Sequence, residues 1–412
     1  MANPPQMGKE HVLRFSLSTI TEAERRFLIP SAEIVIYPSL NASSNAVSKT
    51  WGDFGLLGQL ALQSDTEHHL QHMSTDNIAH DMLQITQAFG FEKLQYWGIS
   101  YGSVLGDTFA TLLPDKVGRL MIDGVEDMDS YYTSNATNMM VDVNGSLQAF
   151  FDGCNKAGPD ICPFYAPSPS EIAAKLDALT SSVKEQPLPV VTPDSHGRVD
   201  FNFLRNTIFA LANGNATVLY TQIPEISFEC QTSPPPFHLN NFEAYMVIAC
   251  SDPVPVNDTV AQLDEYWLNA ARVSQFSDLV SSSRLLCTLV SVILLMQTNT
   301  DDVLSGPIKY IVKAGSKLPS LLVRNTLDPA TARAGALKTS KAFPGSVDLT
   351  QDSVGHTSIA APSLCTYGHF RAYFVNGTLP APGTVSRRCG AVPVRFWQRR
   401  LEETAAELVQ HR

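Results

Sequence analysis

Residues 94–123 read LQYWGISYGSVLGDTFATLLPDKVGRLMID, and the fold is read outward from them. Leu94 to Ile99 is an apolar, aromatic run of strand length. Ser100 follows at once. Tyr101 to Leu113 has helical character and meets Pro114, which cannot continue a helix. Val117 to Asp123 is strand-like again. Upstream, Ser74 or Thr75 can cap a helix that carries Asp76 in its first turn. Ile78, Met82, Ile85 and Phe89 recur on one face of that helix, and Gly90 stops it. Helix, strand, helix, strand in this order predicts a parallel sheet with crossover helices.

Gly98-Ile-Ser-Tyr-Gly102 fits Gly-x-Ser-x-Gly, placed between a predicted strand and a predicted helix. That is the context in which the pattern forms a nucleophile elbow. The turn strains the serine backbone, so its neighbours must be small, and the strain lifts the hydroxyl above the sheet edge. The helix N-terminus then sets the Tyr101 amide where an oxyanion develops. Ser100 is therefore the candidate nucleophile of an α/β-hydrolase fold.

A nucleophilic serine needs a base, and the base needs a carboxylate to orient it. In this fold they follow in the order serine, acid, histidine. Asp328 lies in Arg324-Asn-Thr-Leu-Asp-Pro-Ala-Thr331 and His356 in Gln351-Asp-Ser-Val-Gly-His-Thr-Ser358. Each follows a predicted strand, Leu318 to Val323 and Ser346 to Thr350, with a helix predicted over Ala330 to Ala342 between them. Both fall at strand C-terminal ends, where ligands meet an open parallel sheet. Asp328 can also cap the turn at Pro329 and Ala330. Asp352 suits capping better than orienting, and His369 falls within a helical stretch. His68, His69, His72 and His80 precede the serine and read as exposed helix positions.

From Met128 to Asp302 the pattern is mostly helical, broken by Pro-rich loops at 186–193 and 234–236. Five segments result: an N-terminal remnant of the sheet domain (1–73), the elbow region (74–127), an inserted, mainly helical cap (128–302), the returning sheet region (303–385) and an Arg/Glu-rich tail (386–412). The run Leu285 to Met296 is the most apolar. Its 12 residues extend about 18 Å as a helix, too short to cross a bilayer, so a buried segment is expected.

The composition is 44% hydrophobic and 17% charged, ordinary for a globular chain, and the formal net charge is −11. That balance argues against nucleic acid or an anionic membrane surface as partner, because both need clustered Lys and Arg. Cys154 and Cys162 can close a loop as a disulfide. The 7 cysteines show no Cys-x-x-Cys pair, so neither a metal nor another cofactor is expected. Sequons stand at Asn41, Asn135, Asn144, Asn215, Asn257 and Asn376. With the loop disulfide they favour a secretory protein, although the N-terminus MANPPQMGKE has no apolar signal core.

At these residues the chain resembles the secreted tripeptidyl aminopeptidase and proline iminopeptidase group of α/β-hydrolases, including their TAP-like C-terminal region. The stretches that carry the resemblance are Met73-Ser-Thr-Asp-Asn, Lys93-Leu-Gln-Tyr-Trp-Gly-Ile-Ser-Tyr-Gly-Ser, Pro114-Asp-Lys-Val-Gly-Arg, Ile122-Asp-Gly-Val, Ile248-Ala-Cys-Ser-Asp252, Asn325-Thr-Leu-Asp-Pro-Ala-Thr, Gly355-His356 and Pro362-Ser-Leu-Cys365. It implies a Ser100, His356, Asp328 triad and release of N-terminal residues from peptides. The group also carries a His-Gly-Gly-Pro-Gly oxyanion loop and an Asp-x-Arg-Gly-x-Gly loop upstream of the elbow. Neither occurs in residues 1–73, so the sheet is expected to be incomplete on its N-terminal side. Thr357 follows the histidine where the group often has cysteine, which leaves Cys365 without an obvious partner.

The expected activity is that of a serine exopeptidase acting on peptides. A carboxylesterase with the same triad, and a non-catalytic remnant without the oxyanion loop, are the alternatives. A free substrate amine would need a carboxylate in the cap or rim, and Asp252 and Glu126 are the candidates, although such carboxylates are commonly just solvated.

Overall fold

A computed structural model describes residues 38–66, 69–191, 196–214, 241–288, 319–387 and 389. Its centre is a five-stranded parallel sheet in the order β1 (Leu94–Ile99), β2 (Val117–Asp123), β5 (Leu321–Leu327), β6 (Val347–Val354) and β7 (Thr384–Ser386). Helix α2 (Thr75–Ala88) precedes β1, and α3 (Tyr101–Leu112) connects β1 to β2. Helix α11 (Arg333–Ala342) connects β5 to β6, and α12 (Leu364–Asn376) connects β6 to β7.

Alternation along the strands sends successive side chains to opposite faces. Leu120, Ile122 and Leu322 pack with Ala110 of α3 and Ala336 of α11 on one face. Met121, Leu321, Val323 and Leu349 pack with Phe370 and Tyr373 of α12 on the other. A sheet covered on both faces explains why β2 and β5 are mostly buried runs instead of half-polar strands.

The chain between β2 and β5 adds no described strand to this sheet. It forms α4 (Met128–Tyr132), α5 (Val143–Ala157), α6 (Pro169–Glu185), α7 (Phe201–Asn213), α8 (Asn241–Ser251), α9 (Val260–Ala270), α10 (Ser277–Val280) and a helical stretch over residues 282–288. A separate core holds Leu147, Phe151, Ile172, Ile208, Phe276 and Leu279. The Cys154–Cys162 disulfide lies within it. Ahead of the sheet, α1 (Ala46–Ser64) contributes Leu57 to a cluster with Met246, Val247 and Leu286.

The structure corrects several expectations. The Pro-rich loop at 186–193 contributes β3 (Leu188–Val191), which pairs with β4 (His196–Val199) as an antiparallel hairpin. Cys365 does have a partner: it is joined to Cys389, in the segment read as an Arg/Glu-rich tail. β7 reaches Ser386, one residue past the expected end of the sheet region. A third disulfide, Cys250–Cys287, ties α8 to the 282–288 stretch. Leu285 and Leu286 are buried as expected, whereas residues 289–296 of the apolar run lie outside the described residues, as do Asn215, His68 and most of the tail. Among the described residues no helix is long and apolar enough to cross a membrane, and no cluster of His, Cys, Asp or Glu could hold a metal ion.

Candidate active site

Ser100 sits on the turn between β1 and α3 with φ +57° and ψ −119°, a conformation that L-residues with a Cβ rarely adopt. Small neighbours make room for it. A Cβ at Gly98 would lie 2.2 Å from the Gly102 carbonyl oxygen and 2.4 Å from Tyr96 Cε1. The turn is held from several sides. Ser100 N–H donates to the Asp123 carbonyl at 2.9 Å. Tyr96 donates its hydroxyl to the Gly102 carbonyl at 2.7 Å. Ser103 Oγ donates to the Ser100 carbonyl at 2.7 Å and accepts from Glu126 N–H at 3.0 Å. Tyr101 is the first residue of α3, so its amide has no intrahelical acceptor and is free for an oxyanion.

Asp328 and His356 follow β5 and β6 and meet over the end of the sheet. His356 Nδ1 lies 2.9 Å from Asp328 Oδ1 and 3.1 Å from Oδ2. Asp328 is fully buried. Oδ1 also accepts from Ala330 N–H at 3.0 Å and Thr331 N–H at 2.9 Å, and Oδ2 from Thr331 Oγ1 and Thr357 N–H, both at 2.9 Å. The carboxylate thus caps its own turn and orients the imidazole together. Burial would raise its pKa, but the His356 charge and the converging donors hold it below the usual value. For His356, burial opposes the charged ring, and Asp328 foremost, then Asp123 and Glu126, leaves its pKa raised.

The loop bearing His356 rests on contacts that sequence patterns did not single out. Asn325 donates to the carbonyls of Gly355 and Thr357 at 2.7 and 2.6 Å. Asp123, buried at the end of β2, accepts from Ser358 N–H and Oγ. Gly124, at φ +67°, lets the loop close: a Cβ there would meet Thr357 Cγ2 at 2.5 Å and His356 Cε1 at 3.2 Å. The Asp-Gly pair after a predicted strand was the available signal for it.

Ser100 and Tyr101 line a cleft of about 210 Å³ together with Glu126, Tyr131, Met140 and Cys287. The Ser100 hydroxyl makes no hydrogen bond to His356 in this structure, and such bonds are often loose before substrate binds. Both candidate amine-binding carboxylates are buried, not solvated, at 8% exposure each, and they differ in availability. The Glu126 carboxylate lines the cleft and accepts no hydrogen bond from a described residue. Burial pushes its pKa up to about 7, with His356 opposing and Asp127 reinforcing the shift. Asp252 lies behind the cleft wall, accepting from Thr75 N–H at 2.8 Å, Thr75 Oγ1 at 2.5 Å and Tyr131 Oη at 2.7 Å. Of the sequons, Asn41, Asn135, Asn144, Asn257 and Asn376 are exposed. His80 is exposed, Asp352 lies in β6 and His369 lies in α12.

Residues 292–386 match the TAP-like protein family. The serine protease Hip1 of Mycobacterium tuberculosis is 24% identical over 350 residues, which cover 77% of this chain and 62% of that protein; the Hip1 of Mycobacterium bovis matches to the same extent. The tripeptidyl aminopeptidase of Streptomyces lividans is 48% identical over 56 residues, 14% of this chain and 10% of that enzyme. The chain therefore spans less than two thirds of the curated relatives it matches. A solved N-acyl homoserine lactonase, AidH, complexed with N-hexanoyl homoserine, aligns with 83% of this chain and 72% of that one at 12% identity, with a TM-score of 0.22, too loose a superposition to bear on the site.

Proposed function

We propose that this TAP-like α/β-hydrolase is a serine peptidase that releases residues from peptide N-termini by acyl transfer at Ser100. The observation that carries the reading is Ser100 at positive φ on the β1–α3 turn, with the His356–Asp328 pair at the ends of two strands of the same sheet. His356 takes the Ser100 proton as the oxygen attacks the scissile carbonyl, Asp328 stabilises the imidazolium, and the proton passes to the leaving amine. The Tyr101 amide and the positive end of α3 face the oxyanion. Water attacking the acyl-enzyme, with His356 again as base, completes the cycle.

The names of the Mycobacterium and Streptomyces relatives support peptides over simple esters as substrates. Three disulfides, Cys154–Cys162, Cys250–Cys287 and Cys365–Cys389, together with the exposed sequons, support passage through an oxidising secretory compartment. The test is a fluorophosphonate probe on the folded chain, followed by tripeptidyl and aminoacyl amides against p-nitrophenyl esters. Labelling lost in Ser100→Ala, with amides preferred, is the expected result. Unlabelled folded protein overturns the serine-hydrolase reading, and a preference for esters overturns the peptidase one.

A further inference from the structure

The rest of the cleft wall bears on which peptides enter it, an argument that rests on the peptidase reading above. Tyr101 and Tyr131 both face the cleft, and neither hydroxyl is unattached. Three donors converge on Asp252: Thr75 N–H, Thr75 Oγ1 and Tyr131 Oη. A carboxylate can only accept, so Tyr131 must give it its proton. Thr75 gives its single hydroxyl proton to Asp252 in the same way. At the 2.6 Å contact between Thr75 Oγ1 and Tyr101 Oη, the threonine has no proton left, so Tyr101 is the donor. Tyr131 therefore gives its phenol proton to Asp252 and Tyr101 gives its own to Thr75, so both phenol oxygens keep lone pairs for the cleft.

Glu126 adds an acceptor on the same wall, with no described donor satisfying it. No Lys, Arg or His lies among the described lining residues. These three acceptors have no lysine or arginine beside them in the described lining, which leaves part of their hydrogen-bonding capacity to be met by the ligand. The group that meets it is a cation with several N–H donors.

We propose that Asp252 is a positioning residue that fixes the proton direction on Tyr101 and Tyr131, so that their oxygens and the Glu126 carboxylate together receive an ammonium group of the substrate. Asp252 never touches the ligand; it acts through the two phenols. Two sources share this chemistry, a free peptide N-terminus and a lysine side chain.

The test uses the full chain carrying Ser100→Ala, so that binding is read without turnover. Calorimetry compares Ala-Ala-Ala-amide, its N-acetyl form, and N-acetyl-Ala-Lys-Ala-amide. The free amine, or the lysine peptide if the side chain is the source, should bind about tenfold or more tighter than the uncharged peptide, the worth of a charge-assisted bond. Adding Asp252→Asn, which puts an N–H donor among the three hydroxyls and amides, should bring that preference close to unity while leaving the N-acetyl peptide within about twofold. Tyr131→Phe, which keeps the ring packing, should lose part of the preference, and Asp252→Glu should restore part of what Asp252→Asn loses. A merely structural role would weaken both peptides alike. Equal binding of charged and uncharged peptides by Ser100→Ala, or a preference that survives Asp252→Asn and Tyr131→Phe, overturns the inference. Failure of the wild-type chain to label with fluorophosphonate overturns the hydrolase reading instead, and the binding preference is read independently of it.

Discussion

His356 Nδ1 and Asp328 Oδ1 stand 2.9 Å apart, and apart from the contacts of that ring every bond that Asp328 accepts comes from its own turn or from the residue after His356. The pair is consequently rigid. One carboxylate fixes both the β5 turn and the imidazole, and the ring is left with Nε2 as its free nitrogen.

Asp328→Asn replaces the acceptor at Nδ1 with a group that can favour the wrong tautomer. Fluorophosphonate labelling of Ser100 should slow by roughly 10³–10⁴, while circular dichroism stays native because the amide retains one oxygen for the Ala330 and Thr331 amides. Labelling within about tenfold of wild type would show that another residue orients the base.

The acid limb of the rate follows from the His356 environment. Burial opposes its protonation, but Asp328, Asp123 and Glu126 outweigh it, and the pKa is raised from 6.5. The ring must be neutral to act as base, so the rate falls as pH drops through a value above 6.5. Each lost carboxylate should move this limb to lower pH. A labelling-rate profile with an apparent pKa below 6.5 would contradict the assignment.

Glu126 should carry a stability penalty. Its folded pKa of about 7 lies above that of an unfolded glutamate. The neutral form is thus the one the fold tolerates, and its contribution is intact below about pH 4.3 and lost as pH rises through about 7. Glu126→Gln should raise Tm at pH 8, by up to about 3 kcal/mol in stability, and leave it nearly unchanged at pH 4. Thermal melts at both values decide it; an equal change at the two values would show that the effect is packing, not charge.

The parts legible in the sequence are those with a local signal. Leu94–Ile99 and Val117–Asp123 coincide with their strands because an apolar run, a glycine turn and Pro114 mark both ends. Ser100, Asp328 and His356 could be put forward as candidates because motif and chain order are one-dimensional facts, and the His356–Asp328 contact follows that order. Hidden from it was everything made by distant residues meeting: the Asp123–Ser358 and Asn325–Thr357 supports, the Cys250–Cys287 and Cys365–Cys389 pairings, and the burial of Glu126 and Asp252. Strand β5 begins three residues after its predicted start and runs on to Leu327, because the polar Arg324 is buried by its pair with Asp348, a partner 24 positions away that no periodicity reveals.

The elbow offers a steric test. At Gly98 an added methyl collides with the Gly102 carbonyl, which as backbone cannot swing aside, and with the Tyr96 ring. At Gly52 an added methyl meets nothing within 4 Å. Gly98→Ala should therefore lose labelling and destabilise the fold by about 3 kcal/mol or more. Gly52→Ala, within α1, should be neutral or slightly stabilising. Comparable melts for the two would mean that the turn is not packed as described.

The Cys250–Cys287 bond should matter for binding as well as for stability. It closes a 37-residue separation between α8 and the 282–288 stretch, and Cys287 itself lines the cleft beside Val280 and Ser283. Removing it frees the wall opposite the sheet, while Ser100, His356 and Asp328 keep their supports in the strands and their loops. Replacing both cysteines by serine should cost about 2–4 kcal/mol and raise KM for peptides several-fold, with kcat changed less. The Cys154–Cys162 bond is the internal control. It spans 8 residues in the separate helical core, contributes no side chain to the described cleft lining, and its removal should lower Tm while leaving KM near wild type. Steady-state kinetics on the two double variants separate the cases: equal KM changes would mean that the Cys250–Cys287 bond holds the fold in general and not the cleft wall.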